Sequence, residues 1–445
     1  MKQKYFYKLI PICLLIAVSL MFTGLECPPR EKGQEEEISL EWWRVNFDNN
    51  DDLQALVSSF EQEWPNITVN VRTFTFSEYE NEVVDAISAS TAEENKGPDI
   101  LSIHDDWLPR WQDRLLPMPE STEVFEHMSF RNYADDFVET AVDELTTEQQ
   151  IYAIPLYIDT LALYYNKDLL DSAGVTRPPS NWAGFSDAVE KLTVIADGEI
   201  IQSGAAIGTS TNINRSTDIL EMLMLQNGAK MINEDHDRIT FNSSIAGPAG
   251  NQINPGLIAT TFYTDFANAQ KEVYTWNPSQ DYSIDAFVAG KTAMMFNYSF
   301  RQETLETKSP NLNYGIATVP QVDLINNSVA YPNYWAEAVS NKTLHPHEAW
   351  SFVEHLGKYD VQLQYLELTE HPPARRDIIE EVKNEPITGI FAEQSLIARS
   401  WWKPDSGQTE VIFAKMIESI NLGRSTVQEA MNVAQQSMQQ LIKED

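Results

Sequence analysis

Side chains that can both hydrogen-bond and stack recur just after apolar runs of this chain. Asn46 and Asp48 follow one run, and Asp105, Asp106 and Trp107 follow another. Tyr157 and Asp159 interrupt a third. Further along come Asn212 with Arg215, Asn297 with Tyr298, and Asn333 with Tyr334 and Trp335. Arg375 follows a Pro-Pro pair, and Trp401 and Trp402 stand together late in the chain. Flat rings beside amide, carboxylate and guanidinium groups suit a ligand with apolar faces and a rim of hydroxyls, as a pyranose has. Each residue also has a structural alternative. Arg375 or Arg376 can pair with Asp377 or cap a helix, and Asp159 can hold a hinge. One tryptophan of Trp42-Trp43, and one of Trp401-Trp402, is expected to pack in a core.

Covalent chemistry has no comparable footprint. The sequence contains no HExxH, Walker A, GxSxG or GxGxxG motif. Asp48, Asn50 and Asp52 resemble the start of a calcium loop, but Leu53 and Ser59 stand where glycine and glutamate are required. His345, His347 and Glu348 read as the flanks of a helix opened by Pro346 rather than as metal ligands. The pairs Asp105-Asp106 and Asp135-Asp136 are adjacent in sequence, and neighbours on one element do not face one glycosidic bond. The expectation is therefore binding without catalysis, cofactor or metal.

Charge narrows the ligand. Against 31 basic residues stand 66 acidic ones, a formal net charge of -35. Such a surface repels nucleic acids and anionic membranes. The 445 residues suffice for two domains. Both cysteines, Cys13 and Cys27, lie near the N-terminus, so the body has neither a disulfide framework nor a cysteine metal cluster.

The elements that must position these groups read as α/β. Ile38 to Val45 is a strand, and Leu53, Leu56, Val57, Phe60 and Trp64 recur at helical spacing until Pro65. Ile67, Val69 and Val71 alternate as a strand, and Ser77 is expected to cap the next helix. Asp99 to Ile103 is a third strand. This βαβαβ order implies a parallel sheet with ligands beyond its carboxyl ends, after Val45, Phe74 and Ile103. Ile151 to Asn166 reads as two strand segments with a crossing between domains. Helices are expected over Asn181 to Ile195, Thr217 to Gln226 and Ile284 to Gly290, and strands over Thr292 to Asn297, Tyr314 to Val319 and Trp335 to Val339. The chain is nearly all helical after Pro346.

The N-terminus has the pattern of an export signal: Lys2, Lys4 and Lys8, then the apolar run Leu9 to Leu25. Residues 1-26 are expected to be the signal. Cys27, followed by a polar tether over 27-37, resembles the lipidated cysteine of bacterial lipoproteins, although Glu26 replaces the usual small residue and Gly24 lies three positions before the cysteine. An uncleaved anchor and a cleaved free form are the alternatives. All three place the body outside the cytoplasm, and the lipid form tethers it to the outer face of the cytoplasmic membrane or within a periplasm.

Several stretches together resemble the extracellular solute-binding proteins of the maltose-binding type. These are GPDILSIHDDWLPRW from Gly97, AIPLYIDTLALYYNKDLL from Ala153, RPPSNWAGFSDAVEKL from Arg177, FVAGKTAMMFNYSF from Phe287, YGIATVPQV from Tyr314, the segment Glu337 to Leu356, and GRSTVQEAMNVAQQSM from Gly423. The resemblance implies a periplasmic-binding-protein-like fold: two discontinuous α/β lobes, 38-156 with 334-388 and 157-333 with 389-445, joined by hinge strands. It implies a monomeric substrate-binding component of an ABC importer that closes on a sugar and delivers it to permease subunits. The same fold around a cationic solute such as a polyamine is the alternative, prompted by the acid surplus. An exported glycosidase is a third.

Overall fold

The computed structural model describes residues 37-88, 97-247, 250-323 and 327-444. The expected signal, Cys27 and all but the last residue of the tether lie outside the described residues.

The first strand, β1 (Ile38–Val45), leads through α1 (Asn50–Glu63) to β2 (Ile67–Phe74), then through α2 (Phe76–Ser88) to β3 (Ile100–His104). β1 pairs in parallel with both β2 and β3. The face anticipated for α1 is the one it buries: Leu53, Leu56, Val57 and Phe60. Truncating Phe60 to alanine would remove about 3–5 kcal/mol. The cap of α2 differs from expectation. Thr75, not Ser77, precedes the helix, and Glu78 accepts from both the Thr75 amide (3.1 Å) and its hydroxyl (2.7 Å). A Thr-x-x-Glu box takes up amides that a serine inside the first turn would leave open. Trp42 and Trp43 are both buried, which also departs from expectation. Helices cover both faces of a parallel sheet, so alternate side chains need not include a solvent-facing one.

Four more strands matter near this sheet: β4 (Leu115–Leu116), β5 (Ala153–Pro155), β6 (Asp159–Thr160) and β7 (Ala162–Asn166). The chain then enters a second core. There β7 lies between β8 (Met294–Asn297) and β9 (Tyr314–Ala317), antiparallel to both. Helices α3 (Trp182–Leu192), α4 (Ser216–Gln226) and α5 (Arg301–Lys308) belong to this part. Helix α3 stops short of Ile195. Val194–Ala196 instead forms a hairpin with Glu199–Gln202, because Asp197 and Gly198 both take positive φ (52° and 83°) in its turn.

The return passes through β10 (Pro332–Asn333), which pairs with β6, and β11 (Trp335–Ser340). β11 runs antiparallel to β3, with Trp335 opposite His104, and also pairs with β4 and β5. Pro346 does open a helix, α6 (Pro346–Leu356), and the chain ends in α7 (Ser406–Asn421) and α8 (Val427–Glu444). Helix α8 buries Met431, Ala434 and Met438.

Buried apolar residues fall into two clusters. One gathers Ile38 to Ile158 and Tyr334 to Ala392. The other gathers Leu161 to Tyr331 with Phe391 and Trp401 to Met438. The β6–β10 pair joins the two cores, and Gln394 adds a third crossing by donating to the Leu161 carbonyl at 3.1 Å. Among the described residues, no helix is long and apolar enough to cross a membrane.

Candidate ligand-binding site

Parallel strands bring their carboxyl ends to one edge of the sheet, and the antiparallel β11 starts at that same edge. The loops that meet there build an aromatic surface. Trp335 is its buried centre, with ring centroids 5.6 Å from Phe47, 6.2 Å from Phe76 and 5.1 Å from Trp107. Phe47 and Phe76 are 49% and 55% exposed, which is unusual for two phenylalanines packed on one tryptophan. Asn46 beside them is exposed too.

Next to this surface lies a charged cluster. His104 Nδ1 is 2.6 Å from Asp105 and 2.7 Å from Asp106, and the Asn333 amide lies 3.0 Å from Nε2. Burial opposes charge on the imidazole, but the two aspartates push its pKa up to about 10. Burial raises the Asp105 carboxyl. Burial would also raise Asp106, yet Lys403 and His104 hold it far below the usual range. Glu144 accepts from Tyr334 (2.7 Å) and Ser400 (2.6 Å), and burial with the Asp105 charge pushes it up to about 8. The ligand atoms of His104, Asp105 and Asp106 all lie within 4.8 Å of one another. Lys403 Nζ stands 3.1 Å from Asp106, so a protein cation already occupies the field a metal would need.

The second core faces this edge through the segment around 399-405 and through α4. Lys403 also approaches Glu221 of α4 at 3.4 Å, and Glu221 accepts from Trp401 (2.7 Å) and from the Tyr331 hydroxyl. Arg110 reaches Asp405 at 3.0 Å and Arg399 reaches Glu139 at 2.8 Å. A crevice of about 320 Å³, including its open mouth, lies between Asp106, Trp107 and Arg110 on one side and Lys403, Asp405 and Gly407 on the other.

The expected site residues divide accordingly. Asn46, Asp105, Asp106, Trp107, Asn333, Tyr334 and Trp335 gather at the sheet edge. Trp401 borders it from the second core. Most of the others are engaged by protein groups away from this edge. Asp48 is buried with Arg44 at 3.0 Å and the Tyr365 hydroxyl at 3.0 Å; burial is outweighed by Arg44, which holds its carboxyl at about 2. Asp159 accepts from the Ser299 amide and hydroxyl (both 2.8 Å) and from the Thr160 amide (2.8 Å), pinning β6 to the turn after β8; burial lifts it to about 6. Tyr157 stacks on His371 at 4.5 Å. Asn212 donates to the Asn277 and Gln280 carbonyls, both at 3.0 Å. Asn297 donates to Asn214 (3.0 Å), and Tyr298 to Asp218 (2.8 Å). Arg375 pairs with Asp377 (2.8 Å) and Asp136 (3.1 Å), its structural alternative. Trp402 stacks on His236 at 5.1 Å. Arg215 lies over the Tyr298 ring at 5.2 Å.

Sequence reasoning missed Phe47, Phe76, His104, Glu144, Glu221 and Lys403. Phe47 within Asn46-Phe47-Asp48 was the available signal: a bare aromatic in a polar turn directly after a strand.

The family model described as bacterial extracellular solute-binding protein matches residues 55–389. The chain belongs to that family. As a solute-binding protein it is 24% identical to a putative binding protein of Brucella abortus over 272 residues, 60% of this chain. The chain spans about three-fifths of that relative's length (59%). It is 20% identical to the multiple sugar-binding protein of Streptococcus mutans, over 86% of each chain. Its fold is similar to that of the sugar-binding protein MalE from Xanthomonas citri, with a TM-score of 0.73 and 17% identity, covering 91% of this chain and 98% of that one. The two α/β lobes of this solute-binding protein are thus similar in fold to those of that protein.

Proposed function

We propose that this solute-binding protein captures a carbohydrate between two closing lobes and hands it to the permease subunits of an ABC importer, without catalysing a reaction. The observation that carries this reading is the exposed pair Phe47 and Phe76 over Trp335, beside the polar groups of Asn333, Asp105 and Asp106. Rings supply flats for sugar C–H faces, and the polar groups meet hydroxyls. The names of the Streptococcus and Xanthomonas proteins agree with it. The lobes would be 38-156 with 334-388 and 157-333 with 389-445. Residues 1-26 would direct export and a lipidated Cys27 would tether a monomer outside the cytoplasmic membrane.

A cationic ligand is the weaker reading. The acids at the sheet edge already have protein cations as partners, His104 and Lys403. A cation site needs carboxylates left open around an aromatic box.

Native mass spectrometry after incubation with mixed neutral and acidic oligosaccharides tests the proposal. The expected result is a single bound saccharide per chain. Retention of spermidine alone from a parallel incubation would overturn it.

A further inference from the structure

The chain's strong negative charge makes an under-compensated cation conspicuous, and in the second lobe Arg301 stands beside Arg215, whose pKa, against the opposing effect of burial, is raised by Asp218 and Glu410. Arg215 lies at the N-terminus of α4, and Arg301 is the first residue of α5. Both guanidinium groups lie over the Phe300 ring, at 5.7 Å and 5.1 Å. Phe300 is 37% exposed. The Nε atom of each arginine is sealed from solvent with no hydrogen-bond partner. Arg215 shares its charge with Asp218 at a loose 3.9 Å, and Asp218 is already engaged by Tyr298. Among the described residues, Arg301 makes no ion pair, and its guanidinium donates to the Thr304 hydroxyl at 3.3 Å. Burial, and then the neighbouring Arg215, lower the Arg301 pKa, as two like charges with too few counter-charges require.

Their place in the fold is equally specific. The turn holding Phe300 begins at Ser299, which Asp159 grips at the crossing between the two cores. Arg215 also feels Glu410 of α7, the helix that opens beside Asp405 and the crevice. Arg215 is held at φ 64°, a left-handed conformation rare for a residue with a Cβ and common at ligand clamps. Two helix N-termini add partial positive charge to the same spot.

We infer that the site selects an acidic saccharide, a uronate-bearing oligosaccharide whose carboxylate is taken by Arg301 and Arg215 while a sugar ring lies against Phe300. This inference rests on the carbohydrate reading above. Planar guanidinium groups match a carboxylate in two-point geometry, and Phe300 keeps them aligned. The net charge of the whole chain does not forbid this. Long-range repulsion is screened beyond a Debye length of about 8 Å, whereas contact pairs in a partly desolvated cleft are not. A long polyanion would still be excluded, so the preferred ligand is short.

The test is tryptophan-fluorescence titration of the full chain with galacturonate and glucuronate trisaccharides, their neutral methyl esters, and maltotriose, at low and high salt. A uronate trisaccharide is expected to bind about tenfold or more tighter than its ester, and to weaken with salt. Arg301→Gln and Arg215→Gln should each bring the ratio of uronate to ester affinity close to one. If either variant fails to fold, the ester comparison and salt dependence of the unmodified protein still decide. Maltotriose or the esters binding as tightly as the acids would overturn the inference and leave the carbohydrate reading intact. No saccharide binding at all would overturn both.

Discussion

Lys403 Nζ lies 3.1 Å from Asp106 and 3.4 Å from Glu221, so one buried ammonium joins a loop of the first core to a helix of the second. Burial works against its charge, but Glu221, Tyr331 and the two aspartates raise its pKa well above that of free lysine. A cation in this position bridges the two cores. Lys403→Met leaves Glu221 without its cation and Asp106 with His104 alone, which costs about 3 kcal/mol. The variant should melt lower and, by small-angle scattering, show a larger radius of gyration than the unmodified chain. The double change with Asp106→Asn should recover part of both. An unchanged radius would remove Lys403 from any role between the lobes.

Acid-base behaviour gives a second prediction. Glu144 rises from 4.5 to about 8 on folding, so between those values the folded chain binds more protons than the unfolded one. Stability then falls as pH rises through that window. Asp105 shifts in the same direction. Glu144→Gln should flatten the decline in melting temperature between about pH 5 and pH 8, because its amide can accept from one of the two hydroxyls and donate to the other without titrating. An unaltered slope would show that Glu144 stays ionised in the fold.

Phe47 and Phe76 are predicted to separate binding from stability. Both are about half exposed, so Phe47→Ala or Phe76→Ala should change stability by about 0.5 kcal/mol or less. Losing a stacked ring should weaken saccharide binding by about 1 kcal/mol, near fivefold. Fluorescence titration beside thermal melting checks both. Equal affinity in the variants would remove the aromatic surface from the site.

The first core holds a buried ion cluster with the opposite profile. Arg44 lies 3.1 Å from Glu337 and 3.0 Å from Asp48, and Glu337 also accepts from Trp42 at 2.7 Å. Arg44→Ala strands two carboxylates in the interior and should cost about 3–5 kcal/mol. Calorimetric unfolding should then split, with the first lobe melting earlier. A single unshifted transition would contradict this.

What could be read from sequence follows from how local the determinants are. Strand β1 and the buried face of α1 depend on periodicity and a nearby proline, and both lie where anticipated. The same holds for the three parallel strands, whose order leaves little topological freedom. The Asp197-Gly198 hairpin was visible as a dipeptide but was masked by the helical pattern ahead of it. The Thr75–Glu78 box lost to a serine two positions later. Lys403 was invisible for a different reason: its partners Asp106 and Glu221 are far away in sequence, and nothing local marks a lysine as a lobe-bridging group. Phe300 and Arg301 carry no local signal that sets them apart from Asn297 and Tyr298, which the fold turns inward. Asp159, Asp48 and Arg375 had the right chemistry for a ligand, but each is engaged by nearby protein groups.

Isothermal titration calorimetry of the full chain against neutral mono- and oligosaccharides, uronate trisaccharides and spermidine tests the central claim most directly. The account predicts saturable one-site binding of a saccharide at micromolar affinity or tighter, about −8 kcal/mol, with a negative heat-capacity change from covered aromatic surface. Heat with spermidine alone, or none with any saccharide, would contradict it.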